Sequence, residues 1–322
     1  MSKYRNRLPQ LPDRPFLTDG GLETTLIFHD HVELPYFAAF DLLKDAAGTA
    51  SLRRYFTRYA ELARAKATGI VLESATWRAN PDWASKLGYD AAALAEANRK
   101  AIGLLLEIRD ALESPATPIV ASGNLGPRGD GYRPGARMRV NEARAYHALQ
   151  VETFAATDAD MVAAFTMNYV EEAIGIVKAA KDASMPVAIS FTVETDGRMP
   201  SGDTLSAAIE RTDAETAGYP AYYMINCAHP THFESVVRDG GGWTERIRGL
   251  RANASKRSHA ELDESVDLDI GDPRELGAQY RALRRSLPGL SIVGGCCGTD
   301  DRHVQAICDA CFPPDELATR GR

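Results

Sequence analysis

The stretch Ser291-Ile292-Val293-Gly294-Gly295-Cys296-Cys297-Gly298-Thr299 places two adjacent cysteines directly after a short apolar run. Neighbouring cysteines do not readily form a disulfide with each other, because that bond requires more separation than the ~3.8 Å between consecutive Cα atoms. Both thiols can reach one metal ion if the chain turns sharply, and the flanking glycines permit such a turn. The stretch is interpreted as a buried strand that delivers two metal ligands.

A third cysteine has a similar setting. Cys227 ends the apolar run Tyr222-Tyr223-Met224-Ile225-Asn226. Three thiolates at the same ends of two buried strands would leave a tetrahedral zinc ion one open position, which is typical of a catalytic site. We therefore predict that Cys227, Cys296 and Cys297 bind Zn2+. His229 is a possible fourth ligand that would favour a structural zinc site, but we interpret it as a supporting or structural residue.

Composition limits the classes of partner. The 322 residues carry 37 Lys and Arg against 44 Asp and Glu, a net charge of −7. This balance disfavours generic binding to nucleic acid or to an anionic membrane. No apolar run approaches the ~20 residues that cross a bilayer, and no apolar segment follows the basic N-terminus, so no secretory signal is expected. Five cysteines without framework spacing favour a reducing cytoplasm.

Strand and helix patterns alternate about eight times along the chain. Leu52, Tyr55, Phe56 and Tyr59 recur at helical spacing, for example, and Ile70-Val71-Leu72 then reads as a strand. This alternation is typical of parallel α/β folds. We predict the α/β class and a single-domain (β/α)8 TIM barrel. The predicted divisions are an N-terminal lead-in at 1–15, the barrel at 16–312 and a C-terminal tail at 313–322.

In such a barrel the carboxyl ends of all strands open on one face, where the chemistry of barrel enzymes takes place. Asp19 follows the first predicted strand, and Trp77 follows the second at a short distance. Trp77 is interpreted either as a wall of a small hydrophobic pocket or as a packing aromatic. The basic, glycine-rich stretch from Arg128 to Arg139 is interpreted as a mouth loop with solvated charge. Cys308 and Cys311, three apart on the last helix, are interpreted as packing thiols.

Gly294-Gly295-Cys296-Cys297-Gly298-Thr299, together with Ile225-Asn226-Cys227, resembles the signature of the homocysteine S-methyltransferase family. The resemblance extends from about Phe16 to about Cys311. It implies a zinc enzyme on a (β/α)8 barrel that transfers a methyl group to a thiol, with homocysteine as the default acceptor and a place in methionine biosynthesis. It also implies a substrate site formed by residues at the strand ends: Asp19, which helps to hold the substrate amino group, and Glu73, Phe165, Thr166, Asn226 and Asn253.

One position departs from the family pattern. Where the family has a Glu-Thr pair whose glutamate grips the substrate amino group, this chain has Phe165-Thr166. Such a charge-assisted hydrogen bond contributes ~1.5–3 kcal/mol, whereas an aromatic ring offers an ammonium ~0.5–2 kcal/mol through a cation–π contact. The acceptor is therefore either a thiol other than homocysteine or a homocysteine whose amino end is held differently.

The predicted function is methyl transfer between small molecules, from a donor to a thiol. Three thiolates make the site anionic, so a sulfonium or quaternary ammonium donor such as S-methylmethionine suits it better than methylfolate, whose users in the family usually carry extra domains. One alternative is a zinc-dependent barrel enzyme that methylates a different thiol or removes methyl groups. Another is a non-catalytic protein with structural zinc.

Overall fold

The computed structural model describes residues 1–265 and 267–313, and within them eight parallel strands close into a barrel. Each strand pairs with the next, and the eighth pairs with the first, so that Phe16 lies opposite both Gly69 and Ile292. The predicted single-domain (β/α)8 barrel is confirmed. The strands are β1 (Phe16–Leu17), β2 (Gly69–Glu73), β3 (Ile119–Leu125), β4 (Met161–Met167), β5 (Val187–Phe191), β6 (Tyr222–Asn226), β7 (Ile247–Ala252) and β8 (Ile292–Gly295).

A longer helix follows each strand. These helices are Ala46–Ala65, Ala91–Leu112, Val140–Ala155, Val170–Asp182, Leu205–Thr216, Pro230–Arg238, Pro273–Leu283 and Asp301–Cys311. Shorter helical segments occupy the connections. They are Leu22–Thr24, Thr25–His29, Pro35–Phe37, Ala39–Lys44, Pro81–Lys86, Gly242–Arg246 and His259–Asp263. Among the described residues, no helix combines the length and the apolar character needed to cross a bilayer.

The apolar side chains form two cores, one on each face of the barrel wall. The outer core lies between strands and helices, where Leu52, Phe56 and Tyr59 of the first long helix are buried. The inner core fills the barrel lumen. It contains Phe16, Val71, Val120, Met161, Ala163, Phe165, Ala188, Tyr222, Met224 and Ile292. The lumen is therefore packed, and only its carboxyl end, beyond Phe165, is left for a site.

The N-terminal lead-in closes the opposite end of the barrel. Leu8 belongs to the lumen core, and Gln10 is fully buried. The Arg5 guanidinium donates to backbone carbonyls just before β4, including that of Ala159 at 2.8 Å. The lead-in thus packs as part of the barrel, and the predicted boundary between 15 and 16 stays a prediction. Of the predicted tail, residues 314–322 lie outside the described residues.

Candidate active site

The three predicted metal ligands converge at the carboxyl end of the barrel. The Sγ atoms of Cys227, Cys296 and Cys297 all lie within 4.8 Å of one another. Cys227 follows β6 and is buried, whereas Cys296 and Cys297 follow β8 and are half-buried. In the described part of the chain, no histidine or carboxylate joins this group. The arrangement provides three protein donors for one ion and leaves a coordination position for another ligand.

Cys227 is held in a backbone conformation that side chains rarely adopt. Its φ is +55°, and Thr166 on the neighbouring strand end has a φ of +60°. The Asn226 side chain joins the two strand ends, since its Oδ1 accepts from the Thr166 N–H at 2.9 Å and from the Ser190 hydroxyl at 2.6 Å. Its amide also donates to the Thr166 hydroxyl at 2.9 Å. Asn226 therefore positions the turn that presents the Cys227 thiol.

The vicinal cysteines depend on close backbone packing around the glycines. A Cβ added to Gly294 would lie 1.9 Å from the Thr18 hydroxyl, and one added to Gly295 would lie 2.0 Å from the Thr299 hydroxyl. Gly298 adopts a φ of +77°, in the left-handed region. Gly294 and Gly295 therefore permit close approach, and Gly298 permits the turn that aims both thiols at one point.

The Cys227 carbonyl is fixed from the mouth of the barrel. His259 Nε2 contacts this oxygen at 2.5 Å, and the Asn253 amide donates to it at 3.1 Å. The other ring nitrogen of His259 lies 3.1 Å from a Glu194 carboxylate oxygen. Burial lowers the pKa of His259, but the hydrogen bonds to Glu194 and to the Cys227 carbonyl outweigh it and raise this pKa above its usual value. Sequence reasoning did not identify His259, which lies in a polar mouth segment.

The electrostatics of the thiols favour a bound cation. Hydrogen bonds from Cys296 and Cys297 lower the pKa of Cys227, and the same contacts with Cys227 raise the pKa values of the other two thiols. The group thus holds one negative charge easily and further charges only with a counter-ion. Soft thiolate donors select zinc over magnesium or calcium. Donor number and chemistry therefore fit the zinc site that the sequence predicts.

A cavity of about 370 Å³ opens above the thiols, within the range of ~300–1,000 Å³ for small-molecule sites. Its wall contains five of the six predicted substrate residues, namely Asp19, Glu73, Phe165, Thr166 and Asn226. The remaining one, Asn253, is buried behind Cys227 and contacts the Cys227 carbonyl. That contact gives Asn253 a positioning role, and its contact with substrate stays a prediction.

Arg251, a buried cation that sequence reasoning missed, lies beside the thiols. It stands near the end of β7, and its Nη2 is 2.7 Å from Asp19 Oδ1. Nε donates to the Gly295 carbonyl and Nη2 to the Gly20 carbonyl, both at 3.0 Å. The available signal was an arginine between Leu250 and Ala252 in a strand pattern, since a charge in such a setting needs a buried partner.

The ring of Phe165 is already in contact with a cation from the protein. The Arg251 guanidinium carbon lies 5.0 Å from the ring centroid. Sequence reasoning considered this ring as a cation–π partner for a substrate ammonium. In the structure the guanidinium takes that role, so the Phe165 position offers an ammonium neither a carboxylate nor a free ring face on the side that Arg251 covers.

Two carboxyl groups on the cavity wall, the buried Glu73 and the half-buried Glu23, have raised pKa values. Burial raises the pKa of Glu73 to about 7, and that of Glu23 to about 7 as well. Glu73 Oε2 is enclosed and has no hydrogen-bond partner among the described residues. Both groups therefore change charge near neutral pH, and Glu73 keeps an unfilled hydrogen-bonding position towards the site.

Two aromatic side chains complete the wall. Trp77 lines the cavity and also packs under Arg78, whose guanidinium carbon lies 4.2 Å from the ring centroid, and its contact with a methyl donor stays a prediction. Tyr132 stacks on His259 with centroids 3.9 Å apart, and its hydroxyl lies 3.9 Å from Cys297 Sγ. The stretch from Arg128 to Arg139 is thus more than a loop of solvated charge, because one of its residues contacts the thiol group.

Three further candidates take structural positions. His229 begins the helix Pro230–Arg238, where its Nδ1 accepts from the Thr231 N–H at 3.3 Å. Burial lowers the pKa of His229 to about 4, so the ring is neutral at physiological pH, and it does not belong to the cysteine group. Cys308 and Cys311 are buried in the last helix, and their role as packing thiols stays a prediction.

Comparison with known proteins agrees with this geometry. The family model described as homocysteine S-methyltransferase matches residues 16–311. Selenocysteine Se-methyltransferase from Brassica oleracea var. italica is 22% identical over 313 residues, which cover 90% of this chain and 87% of that protein. S-methylmethionine–homocysteine S-methyltransferase BHMT2 from Mus musculus is 25% identical over 192 residues, which cover 51% of this chain and about half of that protein, 48%.

The barrel is similar to that of the homocysteine methyltransferase MmuM from Escherichia coli. Its oxidized form superposes with a TM-score of 0.74 at 20% identity, covering 91% of this chain and 94% of that one. Its metallated form gives a TM-score of 0.66 at 19% identity, covering 92% and 95%. At this identity the likeness concerns the fold, while the family follows from the match along almost the whole chain. This chain belongs to the homocysteine S-methyltransferase family and is a methyltransferase.

Proposed function

We propose that this protein is a zinc-dependent thiol S-methyltransferase that uses an onium-type methyl donor, such as S-methylmethionine. Homocysteine, the acceptor in the family's name, is the first acceptor to test. The observation that carries the proposal is the group of three thiols, with Sγ atoms within 4.8 Å of one another at the floor of a cavity. Cys227, Cys296 and Cys297 would hold the zinc ion.

A free thiol with a pKa of ~8.5 is only about 3% thiolate at pH 7. When bound, zinc supplies a Lewis acid that keeps the acceptor sulfur deprotonated at neutral pH. The sulfur then attacks the methyl carbon, a sulfur–carbon bond forms, and the bond from the methyl carbon to the onium atom breaks. The electron pair of the broken bond stays with the donor, which leaves neutral, and the thiol proton has already passed to solvent.

The protein contributes alignment and charge. The turn held by Asn226, Asn253 and His259 fixes the direction of the Cys227 thiol, and in-line alignment of reacting atoms supplies up to ~7–11 kcal/mol. Attack of a thiolate on an onium donor converts two opposite charges into neutral products. An enclosed site with little water favours that change, because it removes charges that are costly to keep out of solvent.

The charge of the cavity wall supports a cationic donor. Among the described residues, seven carboxyl groups line it, against two guanidinium groups and no lysine; the acids are Asp19, Glu23, Glu73, Asp130, Asp263, Asp267 and Asp269. Trp77 and Tyr132 add aromatic side chains to the same wall. Anionic walls with aromatic faces attract sulfonium and quaternary ammonium groups.

A second candidate keeps the chemistry and changes the acceptor. Phe165 replaces the carboxylate that would hold an amino group, and Arg251 covers its ring. Both observations favour a thiol other than homocysteine. Cys227, Cys296, Cys297 and Cys308 are free thiols, which supports a reducing compartment, and we expect the enzyme to act on small molecules in the cytoplasm.

The test combines zinc-loaded protein with a panel of thiols and with methyl-labelled S-methylmethionine, betaine or S-adenosylmethionine. We expect label in a thioether product from at least one donor, and none with Cys296→Ser. The variant Cys308→Ser, which alters a buried thiol of the last helix, is the matched control and should retain transfer. Zinc bound with no methylated thiol from any donor would instead favour the structural-zinc alternative.

A further inference from the structure

Arg251 is fixed at the floor of the cavity beside the thiol group. Its Nε donates to the carbonyl of Gly295, the residue before Cys296, and its Nη2 donates to the Gly20 carbonyl, both at 3.0 Å. The side chain is only 9% exposed. Moving it away would leave two buried carbonyls without partners, which opposes displacement. An acceptor whose sulfur reaches the metal position would therefore lie near a stationary guanidinium.

Two groups that would receive an ammonium near this position, Asp19 and Phe165, are already in contact with Arg251. Asp19 Oδ1 lies 2.7 Å from Arg251 Nη2, and Asp19 Oδ2 accepts from the Tyr55 hydroxyl at 3.0 Å. The guanidinium carbon of Arg251 lies over the Phe165 ring, 5.0 Å from its centroid. An ammonium placed here would face a fixed like charge in an environment of low dielectric, where that repulsion is several times stronger than in water.

The same guanidinium suits an anion. Arg251 lines the cavity, and its Nη1 forms no hydrogen bond with any residue in 1–265 or 267–313. Guanidinium groups bind carboxylates through paired N–H donors. An acceptor with its thiol at the metal and a carboxylate at Arg251 would fill that unused donor.

We propose that the acceptor is a mercaptocarboxylate without an ammonium group, and that Arg251 receives its carboxylate. This inference rests on the proposed function, whose acceptor class it names. A Phe165→Glu change alone would not create an ammonium site, because the new carboxylate would lie against the Arg251 guanidinium and pair with it.

One group on the cavity wall would instead favour an acceptor with an ammonium group. Glu73 Oε2 is buried without a partner among the described residues, and a carboxylate there is a possible seat for an ammonium. Arg251 also acts on Glu73 electrostatically and favours its ionised form. If Arg251 determines acceptor binding, a carboxylate on the thiol strengthens it; if Glu73 does, an ammonium strengthens it.

The test uses four thiols that share a three-carbon chain next to sulfur. They differ in whether the third carbon bears an ammonium group, a carboxylate, both or neither. Homocysteine carries an ammonium and a carboxylate, mercaptobutanoate only the carboxylate, aminopropanethiol only the ammonium, and propanethiol neither. Binding to cobalt(II)-loaded protein is followed by the near-ultraviolet thiolate-to-cobalt charge-transfer absorption and the visible d–d bands, without any methyl donor. The readout is thus independent of catalysis.

We expect mercaptobutanoate to bind about tenfold or more tightly than both homocysteine and propanethiol, and aminopropanethiol to bind most weakly. Homocysteine binding as tightly as mercaptobutanoate, or mercaptobutanoate no better than propanethiol, would overturn the inference and leave the proposed function standing. Failure of all four thiols to change the cobalt spectrum would overturn both.

A pair of double variants assigns the effect to Arg251. Asp19→Asn with Arg251→Gln removes both charges together, so neither is left buried and unpaired; mercaptobutanoate should lose about tenfold in affinity, and propanethiol should stay within about twofold. Arg109→Gln with Asp160→Asn makes the same change in the buried pair at the other end of the barrel. Equal losses in the two double variants would contradict a direct contact with Arg251.

Discussion

The two ends of the barrel each contain a buried arginine–aspartate pair, and the two pairs differ in how completely they are hydrogen-bonded. At the amino end, Arg109 Nη1 donates to Asp160 Oδ2 at 2.9 Å. Asp160 also accepts the backbone N–H groups of Ala121 at 2.9 Å and Tyr4 at 2.8 Å. Each carboxylate oxygen of this pair therefore has a well-formed partner within the fold.

At the carboxyl end, the pair between Asp19 and Arg251 is less complete. Asp19 Oδ1 lies 2.7 Å from the guanidinium but lacks a hydrogen bond of good geometry within residues 1–265 and 267–313. Glu73, on the same wall, has an oxygen without a partner in that part of the chain. Unfilled hydrogen-bonding capacity in a cavity is typical of a binding site, since elsewhere it would only destabilise the fold.

Backbone strain accompanies the incomplete pair. Thr166 and Cys227 both adopt left-handed conformations where their strands end at the cavity. Such conformations cost of order 1–3 kcal/mol each and persist where the surroundings determine them. The comparison teaches that the Arg109–Asp160 pair is satisfied within the fold, whereas the Asp19–Arg251 pair lies beside strained strand ends and keeps polar capacity for a ligand.

The largest expected effect concerns zinc binding by the thiols at the carboxyl end of the barrel, compared with a thiol of the last helix. Cys227→Ser should lower zinc affinity by more than about a hundredfold, because even residues that only orient metal ligands change affinity ~10–100-fold. Cys308→Ser, in the last helix, should bind zinc as the wild type does. Metal content after dialysis against a competing chelator measures both. Zinc retained by Cys227→Ser would contradict the assignment of Cys227 as a zinc ligand and of the carboxyl end as the metal site.

The two aspartates are expected to differ in stability. Asp160→Ala leaves the Arg109 guanidinium and two backbone N–H groups buried without an acceptor, and should lower the free energy of unfolding by ~3–5 kcal/mol. Asp19→Ala should cost less, about 2 kcal/mol, because Arg251 keeps two carbonyl partners. Urea denaturation gives both values. A loss for Asp19→Ala as large as that for Asp160→Ala would contradict the proposed difference.

Glu73 should make stability depend on pH. Burial raises its pKa from 4.5 to about 7 in the folded state, so its contribution is fully present below about pH 4.5 and is lost as the pH rises through about 7. That shift corresponds to about 3 kcal/mol. Glu73→Gln should therefore flatten the fall in unfolding free energy between about pH 5 and about pH 8.5.

The exposed Glu107 provides the control for this measurement, and Glu107→Gln should keep the full pH dependence. Glu23, whose pKa is also raised to about 7 by burial, accounts for a residual slope in the Glu73 variant. Denaturation is followed at a fixed zinc concentration. An unchanged profile for Glu73→Gln would show that this carboxyl group is not held protonated near neutral pH.

The smallest effect is expected at His229, two residues after a proposed ligand. Because its side chain caps the helix Pro230–Arg238, His229→Ala should lower stability by about 1 kcal/mol with zinc content unchanged. Thr204→Ala removes the corresponding cap of the helix Leu205–Thr216 and should cost a similar amount. Loss of zinc from the His229 variant would instead identify this ring as a ligand.

Much of the candidate site follows from local patterns. Strand and helix periodicity predicted the barrel, and glycines around vicinal cysteines predicted the turn that presents two thiols, because both signals lie within a few neighbouring residues. Phe165 stood out for the same reason, as an apolar residue at a motif position. The outcome at Asn253 required coordinates, since contact with the Cys227 carbonyl depends on how β6 and β7 are placed together.

The sequence by itself determined the barrel, its three thiols and the absence of a carboxylate at position 165, since periodicity and motif spacing are local properties of the chain. Only the tertiary structure decided that Arg251 pairs with Asp19 and covers Phe165, and that Tyr132 and His259 reach the thiol turn. Those contacts join residues from different strands and loops. Their side chains meet only because closing the barrel brings the carboxyl ends of all eight strands to one face.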